Sequence, residues 1–347
     1  MNKKHLILLL CTVLLLFTAC ESKNENVDET NVKEEKIQIG LSFDSFVIER
    51  WQKDRDVFVT TAEDMGAEVN VQNANGDVEE QISQIEYFID KKMDVIVVIA
   101  VDSEACQAVI KKAKDAGIKI VAYDRLLIKS NADLYISFDN EEVGRMMAKT
   151  LTEKIPEDGK IITIFGPTTD NNVKQMEQGF NEVMQEHDIT VVYTINAKGW
   201  LAEEAFQAIH DGLNIAEDID GVLCGNDNLA TQAVRALSEN RLAGKVVVTG
   251  QDADLAACQR IVEGTQTMTV YKPVHKLAKA AAEYAVKLAK GEKIEAIETI
   301  DDGKYEVPFV KLEPIAVTRE NIDDVIINGD YQIRNEVYLN VPQDTTE

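Results

Sequence analysis

The residues through which this chain could do chemistry stand at the ends of apolar runs. In the stretch Lys245–Pro273, KVVVTGQDADLAACQRIVEGTQTMTVYKP, the run Val246–Val248 is too short and too β-branched for a helix. It suits a strand buried on both faces of a parallel sheet. It ends in Gly250-Gln251-Asp252, and a second extended run, Met268–Tyr271, ends in Lys272-Pro273. One strand–helix–strand unit thus offers an acid and a base at neighbouring strand ends, the edge at which open α/β sheets hold ligands. Such a pair is either a structural ion pair or part of a site. Other predicted strand ends carry similar groups: Asp124 and Arg125 follow Ile118–Ala122, and Asn226 follows Gly221–Cys224. Arg50, Trp51 and Trp200 lie near helix starts, and Asn172 opens a helix just after the FGPTTD loop.

Carboxylates, cations, amides and flat aromatics together match a sugar. Each sugar hydroxyl both donates and accepts, so Asp accepts from it, Arg and Lys donate to it, and Asn does either. Tryptophan covers the apolar C–H face of the ring. A phosphate ligand would call for a glycine-rich loop before a helix, and neither G-x-G-x-x-G nor GKS/GKT is present. An amino acid would need a carboxylate clamp, which Arg50 or Arg125 could supply, so that class stays open on chemistry. Asp77 and Asn228 read as helix caps only. No nucleophile–base pair stands out, which argues against an enzyme. The chain has four histidines and no HExxH spacing, so neither a catalytic metal nor another cofactor is expected. Beyond Cys20 the remaining cysteines, Cys106, Cys224 and Cys258, have no CxxC spacing and read as small buried apolar residues.

The elements that must position these groups alternate strictly. Strands are expected at 36–43, 67–72, 95–100, 118–122, 134–138, 161–165, 190–195, 221–224, 246–248 and 268–271. Helices are expected between them at 51–65, 77–92, 103–116, 141–154, 172–187, 201–213, 228–239 and 254–263. This pattern predicts parallel sheets covered on both faces. The unit Asp94–Asp124 is echoed by Asp220–Asp252, each running from an apolar strand through a helix to a strand that ends in aspartate. Two like units suggest two like lobes. If the lobes face each other, Asp124 and Asp252 line opposite walls of one cleft.

The amino terminus reads as an address. Lys3 and Lys4 precede the apolar run Leu6–Phe17, too short to span a bilayer and suited to the core of a secretory signal over residues 1–19. The junction LFTAC resembles a lipobox, with Cys20 as the lipidated first residue of the mature chain. Residues 20–35 are polar and mostly acidic and read as a tether, reaching roughly 20 Å as a coil. The formal charge is −25 and becomes −27 without Lys3 and Lys4. Such a surface repels nucleic acid and anionic lipid, so attachment to a membrane would rest on acyl chains. The chain is expected outside the cytoplasm, anchored to the outer face of the cell membrane.

The segments ERWQKDRD (Glu49–Asp56), VQNANG, YDR, DLYISFDNEEVG, DNN (Asp170–Asn172), GW, GND and the opening stretch together resemble the periplasmic sugar-binding proteins of the ribose, galactose and xylose cluster. The likeness runs over almost all of residues 36–328. It implies an α/β fold of two doubly wound parallel-sheet lobes joined by a three-segment hinge, with crossings near Phe138–Asn140, Tyr271–Pro273 and Val310–Pro314. The lobes would comprise 36–138 plus 273–310 and 139–272 plus 311–335, with a tail at 336–347. D-xylose is the implied ligand, held by Arg50, Asp124, Arg125, Asn172, Trp200, Asn226, Asp252 and Lys272, with Trp51 stacking beside them. The implied partner is an ABC permease. The alternative is a sensor-kinase ectodomain on which the sugar-bound protein docks. Residues 127–132, 166–169 and 331–347 depart from the family pattern and are expected at the surface.

Overall fold

The computed structural model describes residues 36–295 and 298–341. The signal, Cys20 and the tether lie outside the described residues, as do residues 342–347 of the tail. Two sheets organise the chain. The first contains β1 (Gln38–Phe43), β2 (Glu68–Asn73), β3 (Val95–Val98), β4 (Lys119–Tyr123), β5 (Leu134–Phe138), β11 (Glu298–Asp301) and β12 (Glu306–Leu312), in the order β11-β12-β5-β4-β3-β1-β2. The second contains β6 (Lys160–Phe165), β7 (Thr190–Asn196), β8 (Gly221–Cys224), β9 (Val247–Gln251), β10 (Met268–Tyr271) and β13 (Ile315–Thr318), in the order β13-β10-β9-β8-β6-β7. The chain passes between the sheets after β5, after β10 and between β12 and β13.

Central strands are the apolar ones. All four residues of β3, VIVV, are buried, as expected for a strand covered on both faces. The edge strands β2 and β7 are only partly buried. The parallel sheets expected from the alternation are present, and each carries one antiparallel pair at its edge: β11 pairs with β12, and β13 with β10. These pairs arise because the last part of the chain crosses back twice and adds strands at the sheet edges, where no helical crossover is needed.

Close packing sets the geometry of the second lobe. The helices Asn140–Lys154 and Asn171–Met184 meet through Gly144 and Gly179, where an added Cβ would lie 2.0 Å from the Met176 carbonyl oxygen and 1.9 Å from that of Glu141. Asn172, in the first turn of the second helix, is thereby fixed against the first, whose Asp139 cap belongs to the first crossing.

The divergent segments are not simply superficial. Leu127 and Ala132 are buried in an apolar cluster with Ile110 and Tyr135. Val337, in the short helix Arg334–Val337, is buried against Ile322 and Ile326. Apolar residues in those segments fill gaps that the strand–helix units leave at their flanks. Among the described residues, no helix is long and apolar enough to cross a membrane.

Candidate binding site

The repeated units have a common geometry. Asp94 accepts from the Gln38 amide at 2.8 Å, and Asp220 accepts from the Lys160 amide at 2.9 Å, each fixing the start of its sheet. At the far ends, the Asp124 amide donates to Ile136 and the Asp252 amide to Val270, both at 2.8 Å. Both aspartates take positive φ, 61° and 102°, which breaks the strand and turns the carboxylate out of the sheet. The two lobes therefore present matching acids to one another.

Between them lies a small cavity walled by both lobes. All nine residues singled out from the sequence line it: Arg50, Trp51, Asp124, Arg125, Asn172, Trp200, Asn226, Asp252 and Lys272. Ile48, Asp170 and Gln251 complete the lining.

The charges are arranged in two buried clusters. Arg50, only 2 % exposed, begins the helix Arg50–Asp64. Its Nη2 donates to Asp124 Oδ2 at 2.7 Å and to Asp54 Oδ1 at 3.2 Å. The Tyr123 hydroxyl also donates to Asp54. From the facing lobe, Asp252 Oδ1 approaches Arg50 Nη1 to 3.8 Å and lies 2.9 Å from Lys272 Nζ. The acid and base at neighbouring strand ends are thus an ion pair and also part of the cavity wall. In the second cluster, Arg125 donates to Asp44 Oδ2 at 2.8 Å and to the Ala100 carbonyl at 2.7 Å. Its Nε lies 2.8 Å from Asp170 Oδ2 in the other lobe. Trp51 stacks beside both guanidiniums, with Arg50 Cζ 4.4 Å and Arg125 Cζ 5.8 Å from its ring centroid.

Opposing effects set the protonation of these acids. Burial pushes the Asp124 carboxyl up, but Arg50, Lys272 and Arg125 together outweigh it and hold the group below its ordinary value. Burial prevails at Asp170, Asp54 and Asp44, whose carboxyls are raised even though an arginine lies beside each. Arg50 is buried, yet Asp124, Asp54 and Asp252 keep it firmly cationic.

Loops bring in the remaining groups. Lys198–Trp200 forms a short 3₁₀ turn before the helix Glu203–Ile215, so the helix expected from 201 begins two residues later. That turn carries Trp200 into the wall, where its Nε1 donates to Asp170 at 3.3 Å. Asn172 Nδ2 donates across the cleft to Asp124 Oδ1 at 3.0 Å.

The asparagine assignments need one exchange. Asn228 is not a cap; it lies inside the helix Asp227–Glu239, and its Nδ2 donates to the Val47 carbonyl of the facing lobe at 3.1 Å. The cap is Asn226, whose Oδ1 accepts from the Leu229 amide at 2.9 Å. Asp77 does cap its helix, accepting from the amides of Glu79 and Glu80. Cys106, Cys224 and Cys258 are free and buried, and burial pushes the Cys106 thiol up to about 11, so none is poised as a nucleophile.

Sequence reasoning missed three acids that hold the arginines of the site. Asp54 stands four residues after Arg50, a spacing that pairs side chains on one helix face, and could have been found. Asp170 lies in the DNN segment but reads as an ordinary cap, a role it also fills by accepting from the Asn172 amide. Asp44 has no local signal, since its partner Arg125 is distant in the chain.

Six buried side-chain polar atoms among the described residues make no hydrogen bond, and four belong to the cavity lining: Trp51 Nε1, Asn226 Nδ2, Asn172 Oδ1 and Asp252 Oδ1, the last of them ion-paired with Lys272. Buried polar groups are usually satisfied, so two donors and one acceptor left without any partner at one cavity suit a ligand that both donates and accepts. The three cations of the lining are already engaged by aspartates. That leaves no free positive charge for a phosphate or for the carboxylate of an amino acid.

The chain is 47% identical to the D-xylose-binding periplasmic protein of Haemophilus influenzae, over 87% of this chain and 92% of that one. It is 42% identical to the D-xylose-binding periplasmic protein of Escherichia coli, over 97% and 100%. Among solved structures, a carbohydrate transporter solute binding protein from Chloroflexus aurantiacus, in complex with D-glucose, superposes with a TM-score of 0.80 at 26% identity, covering 86% of this chain and 98% of that one. A family profile described as the periplasmic binding protein domain matches residues 39–293. The chain belongs to the periplasmic binding protein family, whose members bind solutes rather than transform them.

Proposed function

We propose that this protein captures D-xylose reversibly in the cavity between its lobes and hands it to an ABC sugar permease. The observation that carries the reading is the cavity wall itself, with its cations neutralised and three unpartnered polar atoms of mixed type. A neutral ring with hydroxyls around its edge meets that wall without bringing an uncompensated charge into it. Arg50, Asp124, Arg125, Asn172, Asn226, Asp252 and Lys272 hold the hydroxyls, and Trp51 and Trp200 cover the ring faces. The choice of D-xylose within the sugars draws on the relatives that carry that name. Titration calorimetry with D-xylose, D-ribose, D-glucose and a panel of amino acids is expected to find xylose tightest. Any amino acid binding more tightly than every sugar would contradict the proposal.

Cys20 is proposed to carry the lipid that holds the protein at the outer face of the membrane. The wild-type chain is then expected in the membrane fraction, and Cys20→Ser is expected to leave it unprocessed or released. Recovery of the wild-type protein entirely from the medium would refute the anchor. The permease itself is expected to be retained by the xylose-loaded protein; retention of a sensor-kinase ectodomain instead would place the protein in signalling.

A further inference from the structure

The carboxylate of Asp252 is delivered by a turn that the sequence does not favour. Asp252 and Ala253 both have positive φ, 102° and 56°, a region that side-chain-bearing residues occupy only when their surroundings enforce it. The amides of the turn are held by the lobe's own core. Asp252 donates to the Val270 carbonyl at 2.8 Å, Ala253 to Thr269 Oγ1 at 3.2 Å, and Asp254 to Asp227 Oδ2 at 3.2 Å. The carbonyls are held by the carboxy-terminal segment. The Tyr331 hydroxyl donates to the Asp252 carbonyl at 3.3 Å, and Gln332 Nε2 donates to that of Ala253 at 3.1 Å.

Tyr331 also reaches the other lobe. Lys53 Nζ sits 4.0 Å above its ring centroid and donates to its carbonyl at 3.3 Å. Lys53 lies on the helix that begins with Arg50. The tyrosine ring packs at 4.6 Å against Tyr271, the residue before Lys272. One side chain therefore touches the segments that deliver Asp252, Lys272 and Arg50. Packing alone would ask only for the ring, whereas the contact with the Asp252 carbonyl uses the hydroxyl, whose proton burial retains.

We propose that Tyr331 is a positioning residue for the sugar site, fixing the Asp252 turn through its hydroxyl and tying that turn to the Arg50 helix of the facing lobe through Lys53. The inference rests on the cavity being the sugar site. It gives the divergent tail a role in affinity rather than at the surface alone.

Tyr331→Phe keeps the ring and removes only the hydroxyl. In the mature full-length chain it is expected to weaken D-xylose binding about threefold to tenfold by calorimetry, the range for one hydrogen bond. In an Asp252→Ala background the same change is expected to leave affinity within about twofold, because the group it positions is gone. An equal loss in both backgrounds means that Tyr331 acts through general stability, and overturns the proposal. So does wild-type affinity in Tyr331→Phe. Lys53→Met tests the tie between lobes. The chain has two tryptophans, Trp51 and Trp200, and both line the cavity, so stopped-flow tryptophan fluorescence follows the sugar directly. Faster dissociation with little change in association is expected, and an unchanged dissociation rate overturns the tie. Failure of the wild-type chain to bind any sugar would instead remove the function on which the inference rests, and the inference with it.

Discussion

Replacing Arg50 with methionine is expected to lower folding stability by about 3–5 kcal/mol at neutral pH, the usual cost of removing one partner from a buried ion pair. Methionine keeps much of the bulk beside Trp51 but leaves Asp54 and Asp124 buried without their shared guanidinium. The pH dependence distinguishes charge from packing. In the wild type, the depressed Asp124 carboxyl contributes stability that is present above the ordinary carboxylate value of about 3.9 and is lost as pH falls through its lower folded value. In the variant, Arg50 no longer offsets burial at Asp54 or Asp124, so both carboxyls move up. A raised carboxyl contributes stability below its unfolded value and loses it as pH rises through its folded one. The stability gap between variant and wild type, measured by urea unfolding, should therefore narrow from pH 7 to pH 5. A gap that stays constant would mean that Arg50 matters for its packing and not for the acids around it.

Much of the frame was legible because buried central strands have a simple signature. Leu134–Phe138, Gly221–Cys224 and Met268–Tyr271 match their predicted bounds, since each is an apolar run bounded by turn residues and covered on both faces. The strands β11 and β12 were not foreseen. Glu298–Asp301 reads ETID and is largely exposed, while β12 contains Pro308, so neither shows an apolar run or a clean alternation. Their places are fixed by pairing with distant strands rather than by local pattern.

The site was legible for a different reason: parallel topology sends every strand end to one edge, so polar residues just past those ends must converge. The repeat added the relation between the lobes. Local reading could not tell a ligand group from a cap within Asn226-Asp227-Asn228, where three successive residues can all cap a helix. It also could not find Asp170 in the cavity wall or Asp44 behind it. Asp44 and Asp170 grip Arg125 from opposite lobes, and that contact exists only once the lobes are folded against one another.

Asp252→Ala is expected to weaken D-xylose binding at least about tenfold to a hundredfold, because a hydrogen bond to a charged group contributes roughly 1.5–3 kcal/mol. The carboxylate is 3 % exposed, and its Oδ1 lies within ion-pair range of Lys272 without making a hydrogen bond. It faces Asp124 from the opposite wall, so a sugar held by both is bound most strongly when the walls are together. A ligand shifts an open–closed equilibrium only by its differential affinity for the two forms, and contacts from both walls at once supply that difference. Small-angle scattering on addition of xylose should show compaction of the wild type and little change in the variant at the same sugar concentration. Asp77→Ala is the matched control, since Asp77 caps a helix in the first lobe and does not line the cavity. Its loss is expected to lower stability by about 0.5–2 kcal/mol and to leave affinity unchanged. Asn228 cannot serve in that role, because its bond to Val47 spans the lobes. Should Asp252→Ala bind xylose like the wild type and still compact, the carboxylate would be no more than the structural ion-pair partner of Lys272.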